Sequence, residues 1–284
     1  MSFSNAQTIT TNNGVVTLVA GTGDLSLRHI DAGTANVTAQ AVLGSIVDGD
    51  ADVDSNSDQV ADDANIVGAT INLIAGTAIA AGNALEISAS TLNASAANGE
   101  VDVIDISGDL NLGQISATST VSVTAADGAL LATSLAVGDV HVSAIDTVLQ
   151  AKTDIGAVGA AILTASDSLR AQATTGKAVI TDDDDIAIVS VSAAGHVVLT
   201  SLTGHIADAA SDTVLDISAA ALSLTAATGV LSLETAVDSL DVANALGSVI
   251  ISEQNAVTVN SIATDAASTV TLTAGGDVVA GSGT

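Results

Sequence analysis

The 284-residue chain contains no proline and no cysteine. At average usage a chain of this length would carry about 14 prolines. Because proline cannot donate a hydrogen bond to a neighbouring strand, its absence favours a backbone in which nearly every N–H is bonded within a sheet. The absence of cysteine excludes disulfide bonds and thiolate metal sites.

Aromatic side chains are almost missing as well, since Phe3 is the only one. Hydrophobic residues nevertheless make up 48% of the chain and the mean hydropathy is +0.57, which excludes a disordered polar tail. The core must therefore be built from Ala, Val, Leu and Ile. Such small and branched side chains suit a narrow interior between closely spaced sheets better than a round core.

Basic residues are scarce: four stand against 32 acidic residues, for a net charge of −28. Most of the acidic residues are Asp, which favours turns. So negative a surface disfavours nucleic acid and anionic membranes as partners. No apolar run reaches the roughly 18 residues of a membrane span, so we expect no membrane insertion. No signal peptide is visible at the start, so we expect a segment of a larger protein or another export route.

What the chain does contain is a motif that recurs seven times. Each copy has alternating apolar residues, then a turn with Gly or Asp, then another apolar residue six or seven positions after the central one. The copies are VTLVAGTGDL, INLIAGTAI, VSVTAADGAL, AILTASDSL, VVLTSLTGHI, LSLTAATGVL and VTLTAGGDV. Their central residues are Leu18, Leu73, Val123, Leu163, Leu199, Leu224 and Leu272. Self-similarity over the whole length is typical of stacked coils.

The alternation within each copy predicts β-strands with one face inward. In VTLTA, Val270, Leu272 and Ala274 share one face while Thr271 and Thr273 share the other. By the same parity, Leu199 and Leu224 should point inward, whereas Thr200 and Thr225 should point outward. Glycines follow five residues after the central residue in four copies, where we expect a positive φ or a close backbone approach. These are Gly23, Gly128, Gly204 and Gly229.

The spacing of the copies separates two all-β architectures. Leu199 and Leu224 lie 25 residues apart, and Leu73 and Val123 lie 50 apart, which indicates a coil of about 25 residues. We therefore predict a single-stranded parallel β-helix, or β-solenoid, of about 11 coils. It would form one continuous repeat domain over residues 1–284, with an acidic loop insertion near residues 48–63. A β-sandwich is the competitor, but it normally brings aromatic core residues and proline-bearing turns.

Copies of V-x-L-x-A followed by a turn and a second apolar strand resemble the repeats of filamentous-haemagglutinin-like large exoproteins. The resemblance runs from about Val16 to Ala280. It implies a right-handed parallel β-helix on a bacterial surface that mediates adhesion. The family's N-terminal secretion module carries Asn-Pro motifs, which a chain without proline cannot contain. The resemblance therefore implies the fold and leaves two-partner secretion unsupported.

The densest acidic segment, DGDADVDSNSDQVADD, is the candidate metal site. Its alternating side chains could wrap a hard cation with oxygen ligands, as in a calcium loop. Ser57 replaces the usual sharp-turn glycine, and the last ligand is Asp instead of Glu. A solvated acidic insertion is the competing interpretation. The predicted calcium ligands are Asp52, Asp54, Asn56, Asp58 and Asp63.

Other polar groups give weaker signals. The run Asp182 to Asp185 predicts a bare acidic turn. Histidines occur at positions 29, 141, 196 and 205; His196 and His205 each precede an inward apolar residue, so both should point outward as surface groups. Solenoid enzymes that act on polysaccharides use carboxylates with basic and aromatic residues, and the scarcity of both here argues against catalysis. We predict no catalytic residues and no required cofactor, with calcium as an optional ligand.

Four functions follow in order of preference. The first is a non-enzymatic extracellular stalk or adhesive segment, secreted to the cell surface, whose receptor the sequence does not identify. The second is a filament or surface-layer subunit that self-associates end to end through solenoid edges. The third is a calcium-dependent binding module centred on residues 48–63. The fourth is a glycan-processing enzyme.

Overall fold

The computed structural model describes residues 8–49, 64–244 and 246–281. These residues form an all-β parallel β-solenoid of about 12 turns with no helix, which confirms the predicted fold class. None of the described residues lies in a helix long and apolar enough to cross a membrane. The predicted calcium ligands Asp52, Asp54, Asn56, Asp58 and Asp63 lie outside the described residues.

The chain divides into two compact units, Met1–Lys152 and Thr153–Thr284. The first unit contains β1 (Thr8–Thr10), β2 (Val16–Ala20), β3 (Leu25–Leu27), β4 (His29–Asp31), β5 (Val37–Ala41), β6 (Ile46–Asp48), β7 (Ile66–Ala75), β8 (Leu85–Ala96), β9 (Val101–Asp105), β10 (Leu110–Ala117), β11 (Thr120–Ala125), β12 (Leu130–Ala132) and β13 (Val142–Ala151). The prediction of one continuous domain over residues 1–284 stays a prediction.

The second unit contains β14 (Ile162–Ala173), β15 (Ala178–Asp182), β16 (Ile186–Ala193), β17 (His196–Ser201), β18 (His205–Asp208), β19 (Ile217–Ala226), β20 (Gly229–Asn244), β21 (Val249–Glu253), β22 (Val257–Ala263), β23 (Val270–Ala274) and β24 (Val278–Ala280). In both units the strands pair in parallel with strands of the next turn.

Partner residues show that the turn is shorter than predicted. Val16 pairs with Val37, and Leu222 pairs with Leu240. Both intervals are shorter than the interval from Leu199 to Leu224, from which the turn length is predicted. Leu199 and Leu224 are also paired in the structure. The chain between Leu199 and Leu224 includes a longer loop, residues 209–216, and this loop lengthens that turn. Turns such as the two from Val16 and Leu222 account for about 12 turns instead of 11, although the turns from Val37 to Ile71 and from Val121 to Thr147 are also long.

The predicted strand parity holds in the middle of both units. Leu73, Val123, Leu199 and Leu224 are each at most 1% exposed, while Thr225 is exposed. Side chains at equivalent positions of successive turns lie about 4.8 Å apart, so each inward residue packs on its counterparts above and below. The buried core consists mainly of Ala, Val, Leu and Ile, as the composition predicts.

The parity prediction is wrong at Leu163. This central residue of the fourth copy is half-buried, whereas its neighbours Ile162 and Thr164 are buried. Ile162 pairs with Ile180 of the next turn, and the Thr164 hydroxyl donates to the Asp182 carboxylate at 2.5 Å. The inward threonine is therefore satisfied by a hydrogen bond, which allows a more polar face to point inward.

The four turn glycines serve two different purposes. Gly23 and Gly229 have φ angles of 76° and 146°, a region that favours glycine. A Cβ atom on Gly128 would overlap the carbonyl oxygen of Gly108, and one on Gly204 would overlap the backbone of Asp185. Two of these glycines thus have the expected positive φ, and the other two have the expected close backbone approach.

Candidate cation site

Among the described residues, only one group of three acidic or imidazole side chains is close enough to share an ion. It consists of Asp208, Asp216 and Glu234, whose ligand atoms all lie within 4.8 Å of one another. The three belong to the second unit. We call them the acidic triad.

Strand ends and a loop bring the triad together. Asp208 is the last residue of β18, Asp216 directly precedes β19, and Glu234 lies within β20. The loop 209–216 between β18 and β19 returns Asp216 to the neighbourhood of Asp208. Asp216 and Glu234 are 18 residues apart, about one turn of the solenoid, and the N–H of Glu234 donates to Asp216 Oδ2 at 2.9 Å.

Backbone hydrogen bonds fix the orientation of the other aspartate. Asp208 Oδ1 accepts from the N–H of Ala210, and Oδ2 accepts from the N–H of Asp212, both at 2.8 Å. This arrangement ties the carboxylate to the start of its own loop. Asp208 and Asp216 are 8% and 4% exposed, so two carboxylates are largely removed from water.

Burial and the proximity of the carboxylates raise their proton affinity. Burial is the largest cause that raises the pKa of Asp216 to about 7, and the negative charges of Asp208 and Glu234 contribute to that rise. Burial also raises the pKa of Glu234, with added contributions from Asp208 and Asp212. Glu234 Oε2 is buried and has no hydrogen-bond partner among the described residues. Protons or a cation would relieve the repulsion.

A cavity of about 210 Å³ adjoins the triad and is lined in part by Glu234. Hydroxyl and amide groups contribute to the lining through Thr213, Ser252 and Gln254. Glu253, which also lines the cavity, accepts hydrogen bonds from Thr235 Oγ1 and from the N–H of Asn255. Oxygen donors of this kind suit hard cations such as calcium.

The acidic run at Asp182 differs from the predicted bare turn. Asp183, Asp184 and Asp185 are exposed, but Asp182 is fully buried as the last residue of β15. The Asp185 carboxylate accepts from the N–H of His205 at 2.9 Å, and its Oδ1 lies 2.7 Å from His205 Nδ1. The run therefore caps turns and does not gather into a site.

The histidines hold structural positions. His196 and His205 are half-buried beside the buried residues Val197 and Ile206, as their predicted outward parity requires. His196 Nε2 lies 2.8 Å from Ser223 Oγ. His141 is not a surface residue, because it is only 2% exposed, and burial lowers its pKa. Its Nε2 lies 2.9 Å from the carbonyl oxygen of Thr133.

Sequence reasoning missed the triad. Asp208, Asp216 and Glu234 show no ligand spacing within a single segment, and they come together only through the turn of the solenoid. The turn length seen between β19 and β20, applied to every Asp and Glu, would have aligned Asp216 with Glu234. The longer turn expected from the motif spacing placed them out of register.

Comparisons of this chain with family models, curated proteins and solved structures find no significant match. The resemblance to filamentous-haemagglutinin-like repeats therefore rests on the motif alone, although the β-solenoid fold that it implies is present.

Proposed function

We propose that this chain is a non-enzymatic structural segment of a bacterial surface exoprotein, a stalk that presents or joins surfaces. The observation that supports this most is the use of its buried and half-buried polar side chains. They bond from one turn to the next and so reinforce the repeat.

Three contacts illustrate this use. The Asn65 side chain accepts from the N–H of Glu86 at 2.9 Å, 21 residues away. Asn93 Nδ2 donates to Asn72 Oδ1 at 3.0 Å across the same interval. A third bond, from Thr235 to Glu253, spans 18 residues. Side chains that join adjacent turns stabilise the interface on which repeat proteins depend.

The extracellular location is supported by charge and composition. A net charge of −28 keeps the chain soluble and makes contact with nucleic acid or anionic lipid unfavourable. A chain without cysteine is insensitive to an oxidising exterior. Together these properties fit a segment exposed outside the cell that meets a receptor or another surface.

Antibody labelling of intact and permeabilised source cells tests the location. We expect labelling of intact cells, which protease treatment of those cells should remove. Labelling that requires permeabilisation would overturn the proposal. The non-enzymatic part is tested by incubation with acidic and neutral polysaccharides, where we expect no new reducing ends and where their release would contradict it.

End-to-end self-association is the first alternative. Strand β24 pairs only with β22 among the described residues, and Val278 and Val279 in it are each 53% exposed. An open apolar strand edge can pair with another chain. Sedimentation over a range of concentrations should then show growing particles, and Val279→Lys should shorten them because a lysine at an edge opposes pairing. A strictly monomeric chain would exclude this alternative.

Calcium-dependent binding is the second alternative, and the acidic triad favours it. Calcium should raise the melting temperature of the native chain, and Asp216→Asn should abolish that rise. Asp277→Asn, which removes one charge at an exposed position, is the matched control and should preserve it. An unchanged response in Asp216→Asn would assign any calcium binding to another part of the chain.

A further inference from the structure

Two strands, one in each compact unit, end in a fully buried aspartate. Strand β9 reads VDVID and ends at Asp105, and strand β15 reads AVITD and ends at Asp182. Both aspartates are 0% exposed. We call these two residues the corner aspartates, because each lies where the strand gives way to a turn.

Each corner aspartate accepts one hydrogen bond from the previous turn of the solenoid and one from the N–H two residues ahead. Asp105 Oδ1 accepts from the N–H of Ala89, 16 residues back, and the carboxylate also accepts from the N–H of Ser107. Asp182 accepts from the hydroxyl of Thr164, 18 residues back, and from the N–H of Asp184. Each carboxyl thus joins the previous turn of the solenoid to the short bend that directly follows its own strand.

At Asp105 these bonds do not compensate fully for the loss of water, whereas both oxygens of the buried Asp182 accept a hydrogen bond. Asp105 Oδ2 is buried and has no hydrogen-bond partner among the described residues. In the ladder Asp105 pairs with Ile87 and Ala125, which offer no polar side chain. An ionised carboxylate in such a position is costly, whereas the neutral acid is tolerated.

The strands packed around the corner aspartates place little positive charge near them. Around Asp105, strand β8 carries Glu86, β9 carries Asp102 and β11 carries no charged residue. Around Asp182, strand β14 carries Asp167 and Arg170 and strand β17 carries His196. Arg170 lies six residues beyond Thr164, the ladder partner of Asp182, so it is far along the strand. The adjoining turn adds Asp183, Asp184 and Asp185, all negative.

We propose that Asp105 and Asp182 form an acid-responsive device in the solenoid: each is held as the neutral acid near neutral pH, and acidification strengthens the fold at both corners. The device is separate from the acidic triad and does not depend on the function proposed above. It would make the chain more stable in a mildly acidic setting than in an alkaline one.

The electrostatics of the two sites agree with this proposal. Burial is the main cause that raises the pKa of Asp105 to about 7 and that of Asp182 to about 7, and for Asp182 the charge of Asp184 contributes. In the unfolded chain an aspartate has a pKa of about 3.9. The native state therefore holds more protons between about pH 4 and pH 7, and the free energy of unfolding rises as the pH falls through 7.

The size of the effect follows from the same values. For each corner aspartate, the unfolding equilibrium constant should fall roughly 100-fold between pH 8 and pH 5. The net charge of −28 weakens over the same range and would also favour folding at low pH. High ionic strength screens that general repulsion but leaves the buried groups largely unaffected.

Denaturant unfolding at pH 5 to 8 in high salt tests the proposal. Asp105→Asn and Asp182→Asn should each flatten the dependence of stability on pH, because asparagine imitates the neutral acid and cannot ionise. Asp127→Asn and Asp183→Asn remove the same charge at exposed positions and should keep the native slope. The proposal is overturned if the corner variants keep the native slope as these controls do.

A second measurement covers the case in which a corner variant does not fold. Carboxyl carbon NMR of the native chain, with sequential assignment, follows each aspartate directly through its titration. We expect midpoints near 7 for Asp105 and Asp182. Midpoints below 5 for both corner aspartates would refute the proposal without any variant.

Discussion

Two strands of the second unit carry nearly the same motif and yet differ in burial. Strand β19 ends in LSLTA and strand β23 reads VTLTA. Leu222 and Leu224 in β19 are each 1% exposed, whereas Val270 in β23 is 44% exposed and Leu272 is half-buried. Local sequence therefore does not decide how deeply these side chains lie.

The number of neighbouring strands explains the difference. Strand β19 pairs with β17 on one side and β20 on the other, while β23 pairs only with β21 among the described residues. An inward side chain in a solenoid is covered by the turns above and below it. The motif sets which face points inward, and stacking supplies the burial.

The largest expected loss of stability comes from a charge on the inward face of a strand that is covered on both sides. Leu224→Asp should lower the free energy of unfolding by about 4 kcal/mol or more, because an unpaired carboxylate would be buried between two turns. Leu272→Asp should lower it by only about 1 kcal/mol, because water reaches that position. Denaturant unfolding of the two variants measures both values. Similar losses would mean that stacking does not control burial.

The next effect concerns the glycines at the corners. Gly128→Ala should cost about 1 to 3 kcal/mol, because the added methyl group would overlap the carbonyl oxygen of Gly108 on the turn below. A Cβ atom on Gly21 would meet nothing within 4 Å, and Gly21 has no positive φ. Gly21→Ala should therefore be neutral or slightly stabilising. A comparable loss in both variants would argue against the close approach at Gly128.

The sequence predicts the fold from its simplest features. Seven copies of the motif, the absence of proline and the shortage of aromatic residues all lead to a β-solenoid, and the inward positions of Leu199 and Leu224 follow from alternation. At Leu163 alternation is ambiguous, because AILTAS offers apolar residues on both faces. The face that points inward carries Thr164, which bonds to Asp182 of the next turn, a contact that no local pattern contains.

The candidate site is less accessible to sequence reasoning. Asp208 and Glu234 lie in different strands, and their contact depends on the loop 209–216 and on the register between β19 and β20. Neither the position of this loop nor the strand register can be read from the sequence without knowledge of the turn length. The buried state of Asp105 and Asp182 was hidden for a related reason, since turn aspartates are usually exposed. An aspartate as the last residue of a strand, as in β9 and β15, is the sequence feature that these buried aspartates share.

The smallest effect should come from the outward face of the same stacked strand. Thr225 is exposed and pairs with Thr200 and Ala243, so no like charge lies directly opposite it. Thr225→Asp should cost less than about 1 kcal/mol, mainly through the lower β propensity of aspartate. Thr225→Asn is the matched control, because it changes propensity without adding charge. Denaturant unfolding should rank Leu224→Asp far above both variants. If Thr225→Asp were as damaging as Leu224→Asp, the inward and outward faces of β19 would have been assigned incorrectly.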